Sequence, residues 1–233
     1  MARILLIPGF WLGAWAWEDV AGPLRSLGDE VDALTLPGLD PGDPERLSAT
    51  LQTQARAIVD AARAADVLVA HSGAGAAAYM ATDLAPEHFS RVIYADSAPM
   101  PAGFILNPAL GDTAEFPLPE TWEEVEAAGS SLAGLNEAML ARFRERAVPV
   151  PAGVAARPVT LGDSAARLKV PTTVICCSFP SELVQQLRDA GELPLFRELR
   201  NIDAEYVDLP TGHWPMWSKP TELAELIHHA VQR

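Results

Sequence analysis

Two residues in turn-forming stretches, Ser72 and His213, are of the type and order that support acyl transfer. Ser72 stands in Ala70-His71-Ser72-Gly73-Ala74, after the apolar run Val67-Leu68-Val69 and before an alanine-rich stretch of helical character. That reads as strand, sharp turn and helix with the serine at the apex. Such an elbow strains the serine backbone, lifts its Oγ above the strand end and admits only small side chains two residues to either side. Ala70 and Ala74 meet that demand. The same pattern also serves as a plain strand-to-helix connection, so other parts of the chain must decide. His213 lies in Pro210-Thr211-Gly212-His213-Trp214-Pro215, just past the apolar run from Ala204 to Leu209. A histidine on a loop after the last strand can reach back to the elbow as a general base, and it follows the serine in the required chain order. The other four histidines suit structural roles: His71 points away along the turn, His88 lies near a helix end, and His228 and His229 fall in a terminal helix.

A nucleophile and a base need donors for the developing oxyanion. The first strand, Arg3 to Ile7, leads into the loop Pro8-Gly9-Phe10-Trp11-Leu12-Gly13-Ala14-Trp15. A loop there can set the Phe10 amide opposite the elbow, with the amide after the nucleophile, Gly73, as the second donor.

The elements that must position these groups alternate. Short apolar strands are expected near 3–7, 30–35, 66–70, 91–95, 172–177 and 204–208, and helices near 15–27, 47–64, 74–85, 181–190 and 219–232. This pattern implies an α/β fold, a doubly wound, mostly parallel sheet of about six strands without an antiparallel N-terminal hairpin. One domain spans 1–233. Between 98 and 168 the alternation lapses over a stretch too long for a bare loop, which reads as a cap inserted above the strand ends. It opens with Pro99, Pro101 and Pro108, carries helical stretches from Glu120 to Ala128 and from Asn136 to Arg146, and closes with Pro149, Pro151 and Pro158. Trp122, Met139 and Phe143 from the cap, with Trp11 and Trp214 from the two loops, are the candidates for an apolar substrate wall.

With these motifs in view the chain resembles the α/β-hydrolase superfamily, and more narrowly the small esterase and hydroxynitrile-lyase branch that includes plant methyl esterases. The likeness rests on residues 5 to 17, on Leu27 to Gly38, on His71-Ser72-Gly73, on Asp96-Ser97-Ala98-Pro99 and on Gly212-His213-Trp214. It implies a serine hydrolase that cleaves a small, largely apolar ester without cofactor or metal. Two departures stand out: Pro8-Gly9 replaces the family's His-Gly, and Trp214 stands where a hydroxynitrile lyase carries lysine. Cyanide chemistry is therefore not implied.

The third member of a triad departs as well. Most relatives carry the acid just after the strand that follows the cap, yet here that stretch reads Cys176-Cys177-Ser178-Phe179-Pro180-Ser181-Glu182. Some superfamily members carry it one strand earlier, and there this chain has Asp96. Asp96 also reads as an Asx turn opening the cap. Glu182 is the alternative acid, although it suits a helix start, where the dipole favours a carboxylate. Asp208 precedes the base loop too closely to orient His213.

Composition excludes other classes. A net charge of −14 with thinly spread basic residues rules against a nucleic-acid surface, which needs a cationic face to displace counterions. No apolar run approaches a membrane span, and residues 4–7 are too short for a signal-peptide core, so the expected setting is cytoplasmic and the expected partner a small molecule, the protein being a monomer or homodimer. The neighbouring Cys176 and Cys177 fit buried thiols on opposite faces of a strand and give no metal-ligand spacing. Gly73-Ala74-Gly75 lacks the third glycine of a dinucleotide loop. Two further functions remain open: a ligand sensor on a degraded hydrolase site, and a cofactor-free lyase or oxygenase on the same fold.

Overall fold

The computed structural model describes residues 2–63 and 66–233. Its strands are β1 (Arg3–Ile7), β2 (Glu30–Ala33), β3 (Asp66–His71), β4 (Phe89–Ala95), β5 (Glu115–Phe116), β6 (Val150–Pro151), β7 (Thr172–Cys176) and β8 (Ala204–Asp208). Its helices are α1 (Glu18–Ser26), α2 (Leu51–Ala61), α3 (Ala74–Leu84), α4 (Trp122–Ala127), α5 (Glu137–Arg146), α6 (Ala152–Ala155), α7 (Ser181–Ala190), α8 (Pro194–Arg197), α9 (Pro215–Ser218) and α10 (Pro220–Val231). Six strands form one sheet in the order β2-β1-β3-β4-β7-β8, every pairing parallel.

A parallel sheet must be covered on both faces, and the strand side chains sort accordingly. Ile4, Leu6, Val69, Ile93 and Ile175 pack on one face with α1 and α10. Leu5, Ile7, Leu68, Val92 and Tyr94 pack on the other with α2 and α3. Each such side chain taken out of water contributes about 1.5–3 kcal/mol. α3 is buried from Ala74 to Thr82, and its small residues let it lie close against α2 and the sheet.

The strand order places a switch point at β1. The chain leaves β1 toward β2 on one side and returns to β3 on the other, so the loops after β1 and β3 diverge above the sheet and leave a crevice between them. The Pro8–Trp11 loop and Ser72 flank that crevice, an adjacency set by topology.

Several expected boundaries move for local reasons. The helix expected from 47 is a 3-10 turn at Arg46–Ser48 followed by extended Ala49 and Thr50, because Thr50 and Thr53 cap each other reciprocally and start α2 at Leu51. α2 ends at Ala61, and residue 64 of that expectation lies outside the described residues. The helix expected over 15–27 is a 3-10 turn at Ala14–Trp17 and then α1. At the C-terminal end α9 precedes α10, which starts with Pro220 in its first turn.

Between β4 and β7 the chain adds no strand to the main sheet. It forms α4, opened by a Thr121–Glu124 capping box, α5, capped by the Asn136 side chain, α6, and the short antiparallel β5–β6 pair, which the sequence pattern does not announce. Phe143 on α5 is fully buried, its ring centre 5.1 Å from Trp217, 5.2 Å from Trp214, 5.6 Å from Trp122 and 6.4 Å from Trp11. It joins this segment to the sheet domain. Phe143→Ala should cost about 3–5 kcal/mol of unfolding free energy in a urea titration, because four indoles cannot close the gap together; a loss below about 1 kcal/mol would show that the cluster relaxes freely.

Candidate active site

Ser72 follows β3 without an intervening residue and has φ 51°, a left-handed conformation that a non-glycine residue keeps only where its surroundings enforce it. The enforcement is visible. The Ser72 carbonyl accepts from Gly75 N at 3.0 Å and from Ser97 Oγ at 2.5 Å. Close packing does the rest: a Cβ on Gly9 would meet Ser72 Cβ at 2.7 Å, and one on Gly75 would meet the Ala98 carbonyl oxygen at 2.6 Å.

His213 sits on the loop after β8, whose backbone is tied at several points. Leu209 N donates to Cys176 O at 2.8 Å, Gly212 N to Ala133 O at 3.1 Å and His213 N to Ser131 O at 2.7 Å. The ring spans Ser72 and Asp96, with Nε2 2.7 Å from Ser72 Oγ and Nδ1 2.6 Å from Asp96 Oδ2. A carboxylate at Nδ1 requires the proton there, which leaves Nε2 as acceptor for the serine hydroxyl.

Asp96 follows β4 and is the second left-handed residue of the site, with φ 44°. Its carboxylate is held from the end of β7: Oδ1 accepts from Ser178 N at 2.8 Å and Cys177 N at 3.2 Å, and Oδ2 from Ser178 Oγ at 2.6 Å. Burial pushes this carboxyl up, but the hydrogen bond and charge of His213, with the bonds from Ser178, outweigh it and bring it down to about 2. Glu182 lies on the first turn of α7, exposed, and accepts from Gln186 at 3.4 Å. Asp208 accepts from Ser181 N and Oγ at 2.6 and 2.7 Å, fastening the start of α7.

The loop after β1 supplies the third left-handed residue, Trp11, with φ 65°. Gly73 accommodates the Phe10 ring, which a Cβ there would meet at 2.7 Å. Neither the Phe10 nor the Gly73 amide donates to another protein atom among the described residues. Trp11 Nε1 donates to Phe116 O at 3.1 Å and Trp11 O accepts from Val148 N at 2.9 Å, so this loop is pinned to the segment between β4 and β7.

A cavity of about 600 Å³ lies over Ser72, walled by apolar groups that include Phe10, Trp11, Phe104, Phe116, Leu195 and Trp214. Trp11 and Trp214 both line this cavity. Trp122, Met139 and Phe143, expected in that wall, do not reach it: all three pack in the aromatic cluster behind it, and Trp122 is covered by the Arg144 guanidinium 4.2 Å from its ring centre. Helical spacing identifies the inward face of α5 but not whether that face meets a cavity or another layer of side chains. Leu195 and Ser178 escaped notice because nothing near them in sequence marks a site.

His71 takes a larger part than its position implied. It is buried, and its Nε2 donates to the His213 carbonyl at 2.6 Å, so it helps hold the base loop. The two thiols lie on opposite faces, Cys176 in the cluster with Val184 and Cys177 in that with Trp214. Burial, followed by the charges of Asp208 and Asp96, pushes Cys176 up to about 12. No group of three or more His, Cys, Asp or Glu side chains poised to hold a metal occurs among the described residues, and no helix there is long and apolar enough to cross a membrane.

Burial, and after it the neighbouring His213, lowers His71 from 6.5 to about 3. The unfolded chain therefore binds a proton between those values that the folded protein refuses, and stability is lost as pH drops through that window by about 1.4 kcal/mol per unit. Above the unfolded value both states are neutral and the effect vanishes. His71→Gln should flatten the unfolding free energy between pH 6.5 and 4 by that amount; an unchanged slope would show that His71 is protonated in the folded protein.

The chain matches the model of the alpha/beta hydrolase family over residues 4–226. It is 26% identical to a carbendazim-hydrolysing esterase of a Nocardioides strain, covering 97% of this chain and 98% of that one. Two solved structures resemble it at 18% identity: an extracellular alpha/beta-hydrolase from a Paenibacillus species, described as sharing structural and functional homology with tobacco salicylic acid binding protein 2, at TM-score 0.76 over 99% of both chains, and an Arabidopsis methylesterase at TM-score 0.75 over 100% of this chain and 99% of that one. At that identity they speak for the fold. With nearly its whole length matched and an all-parallel six-stranded sheet beneath a serine elbow, the chain belongs to the alpha/beta hydrolase family.

Proposed function

We propose that the protein hydrolyses carboxylic esters of small, largely apolar molecules through an acyl-enzyme on Ser72. The observation that carries this reading is the continuous chain from Ser72 Oγ through His213 to Asp96, with contacts of 2.7 and 2.6 Å, at the edge of an apolar cavity. Names of the relatives, one an esterase and one a methylesterase, point the same way.

In the first step His213 Nε2 takes the Ser72 proton as Oγ attacks the ester carbonyl. The Phe10 and Gly73 amides receive the oxyanion, a contribution of about 3–4 kcal/mol per donor in comparable sites. The C–O bond to the alcohol then breaks, and the departing oxygen takes the proton from His213. Water, deprotonated by the same nitrogen, releases the acid and restores Ser72. Asp96 keeps the proton on Nδ1 and stabilises the imidazolium. The segment 98–168 acts as the cap that closes the cavity and selects the substrate, with Trp11 and Trp214 in the wall.

A sensor on a degraded site is the weaker reading, since the acid absent after β7 has a counterpart in Asp96, 2.6 Å from His213. A cofactor-free lyase or oxygenase uses the same pocket but leaves esters intact.

Screening p-nitrophenyl and methyl esters tests the reading. Ser72→Ala should abolish turnover and labelling by a fluorophosphonate probe while leaving the thermal midpoint within a few degrees. Undiminished hydrolysis in that variant sinks the assignment. Asp96→Asn should lower kcat by as much as about 10⁴-fold, the loss seen when a triad histidine is held in the wrong tautomer, whereas Glu182→Gln should stay close to the parent. The reverse ranking would move the acid to α7.

A further inference from the structure

A second, smaller cavity of about 160 Å³ lies behind the candidate base. Its walls are mostly apolar, formed by Val174, Cys176, Phe179, Val184 and Phe196. It does not touch Ser72. Asp96, Ser97, Leu195 and His213 belong to the walls of both cavities, so the two chambers meet along one edge, with Leu195 as the apolar side chain at the partition. Leu195 is only partly buried and packs against both neighbouring clusters. At the other end of the small chamber Phe179 is 44% exposed, an unusual position for a large apolar ring.

From this arrangement we infer that the small chamber holds the alcohol portion of the substrate, and that the preferred substrate is an ester of a compact apolar alcohol, aryl or short branched alkyl, with the bulkier acyl part in the large chamber. The inference rests on the hydrolase reading. When the tetrahedral intermediate collapses, the acyl C–O bond to the alcohol breaks, Ser72 keeps its new bond to the carbonyl carbon, and the departing oxygen takes from His213 the proton that Ser72 surrendered. That oxygen must therefore lie within hydrogen-bond reach of His213 Nε2. The group attached to it is carried to the His213 side of the site, away from the Phe10 and Gly73 amides that face the oxyanion. Of the two chambers, the small one is walled by His213 but not by Ser72. Its size and lining fit a ring of about six carbons, since an apolar cavity near 150 Å³ stays dry and takes up benzene. Apart from the shared edge its polar side chains are the Ser178 hydroxyl, already engaged by Asp96, and the Cys176 thiol, directed to Val174 O at 3.8 Å, so it favours hydrocarbon over a polar alcohol.

Two ester series separate the chambers: methyl, phenyl and benzyl esters of one acid, and phenyl esters of acids of increasing length. Val184→Phe fills the small chamber, and Leu195→Trp closes the partition from a half-buried position where folding is less at risk. Each should lower the ratio of kcat/KM for phenyl over methyl esters at least about tenfold, and Val184→Phe, which lies in the wall of the small chamber alone, should leave the ranking of acyl lengths in place. Benzyl alcohol should inhibit the parent competitively, and its inhibition constant should rise by a similar factor in both variants. An unchanged phenyl-to-methyl ratio in the variant that folds, or a shift in the acyl ranking instead in Val184→Phe, overturns the inference while leaving the hydrolase reading intact. Failure of the parent to turn over any ester in either series overturns both.

Discussion

A buried carboxylate organises this molecule's site. Asp96 is held by two backbone amides and a hydroxyl from the end of β7, and it grips the imidazole of His213 from a neighbouring loop. Removing a charge from water is tolerable only where hydrogen bonds replace what water gave, and here four contacts do so. The same contacts join the ends of β4, β7 and the loop after β8, so the carboxylate fixes how three segments converge above the sheet. Ser72 then needs only to stand where β3 delivers it. His71 adds a second tie, from the elbow to the carbonyl of His213 itself.

Strain marks the same place. The non-glycine residues with positive φ among those described are Trp11, Ser72 and Asp96, and each ends a strand or follows it within a few residues at the carboxyl edge of the sheet. Each costs of order 1–3 kcal/mol, and each is held by tight neighbours, Gly9 beneath Ser72 and Gly73 beneath Phe10 among them. Backbone energy is concentrated where the candidate nucleophile, acid and oxyanion loop stand, and the regular, well-buried strands below bear it.

The sheet was legible because continuous apolar runs such as Ile4 to Ile7 answer directly to burial on both faces. Ser72, Asp96 and His213 could be singled out because each stands just past the carboxyl end of a strand, the edge on which open α/β sheets build their sites. What escaped depended on three-dimensional adjacency. Whether Phe143 faces a cavity or a stack of indoles is decided by Trp11, Trp214 and Trp217, which lie far away in sequence. Ser178 reads as an ordinary loop serine until β7 is seen beside β4. The start of α2 moved for a smaller reason, a reciprocal cap between two threonines that a run of good helix formers conceals.

Delivering the carboxylate from β4 also frees a part of the chain. β3 and β4 are paired in register up to His71 and Ala95, so the separation of Ser72 from Asp96 is set by one hydrogen-bonded ladder inside the most buried part of the sheet. The stretch after β7 contributes only Ser178 and two amides to that arrangement. Beyond it, Phe179 and Pro180 make no hydrogen bond to the Ser72–His213–Asp96 chain among the described residues, and α7 is fastened independently by Asp208. The spacing of those three side chains and the outer wall therefore belong to separate modules. The wall can be recut, in nature or by design, without disturbing that spacing.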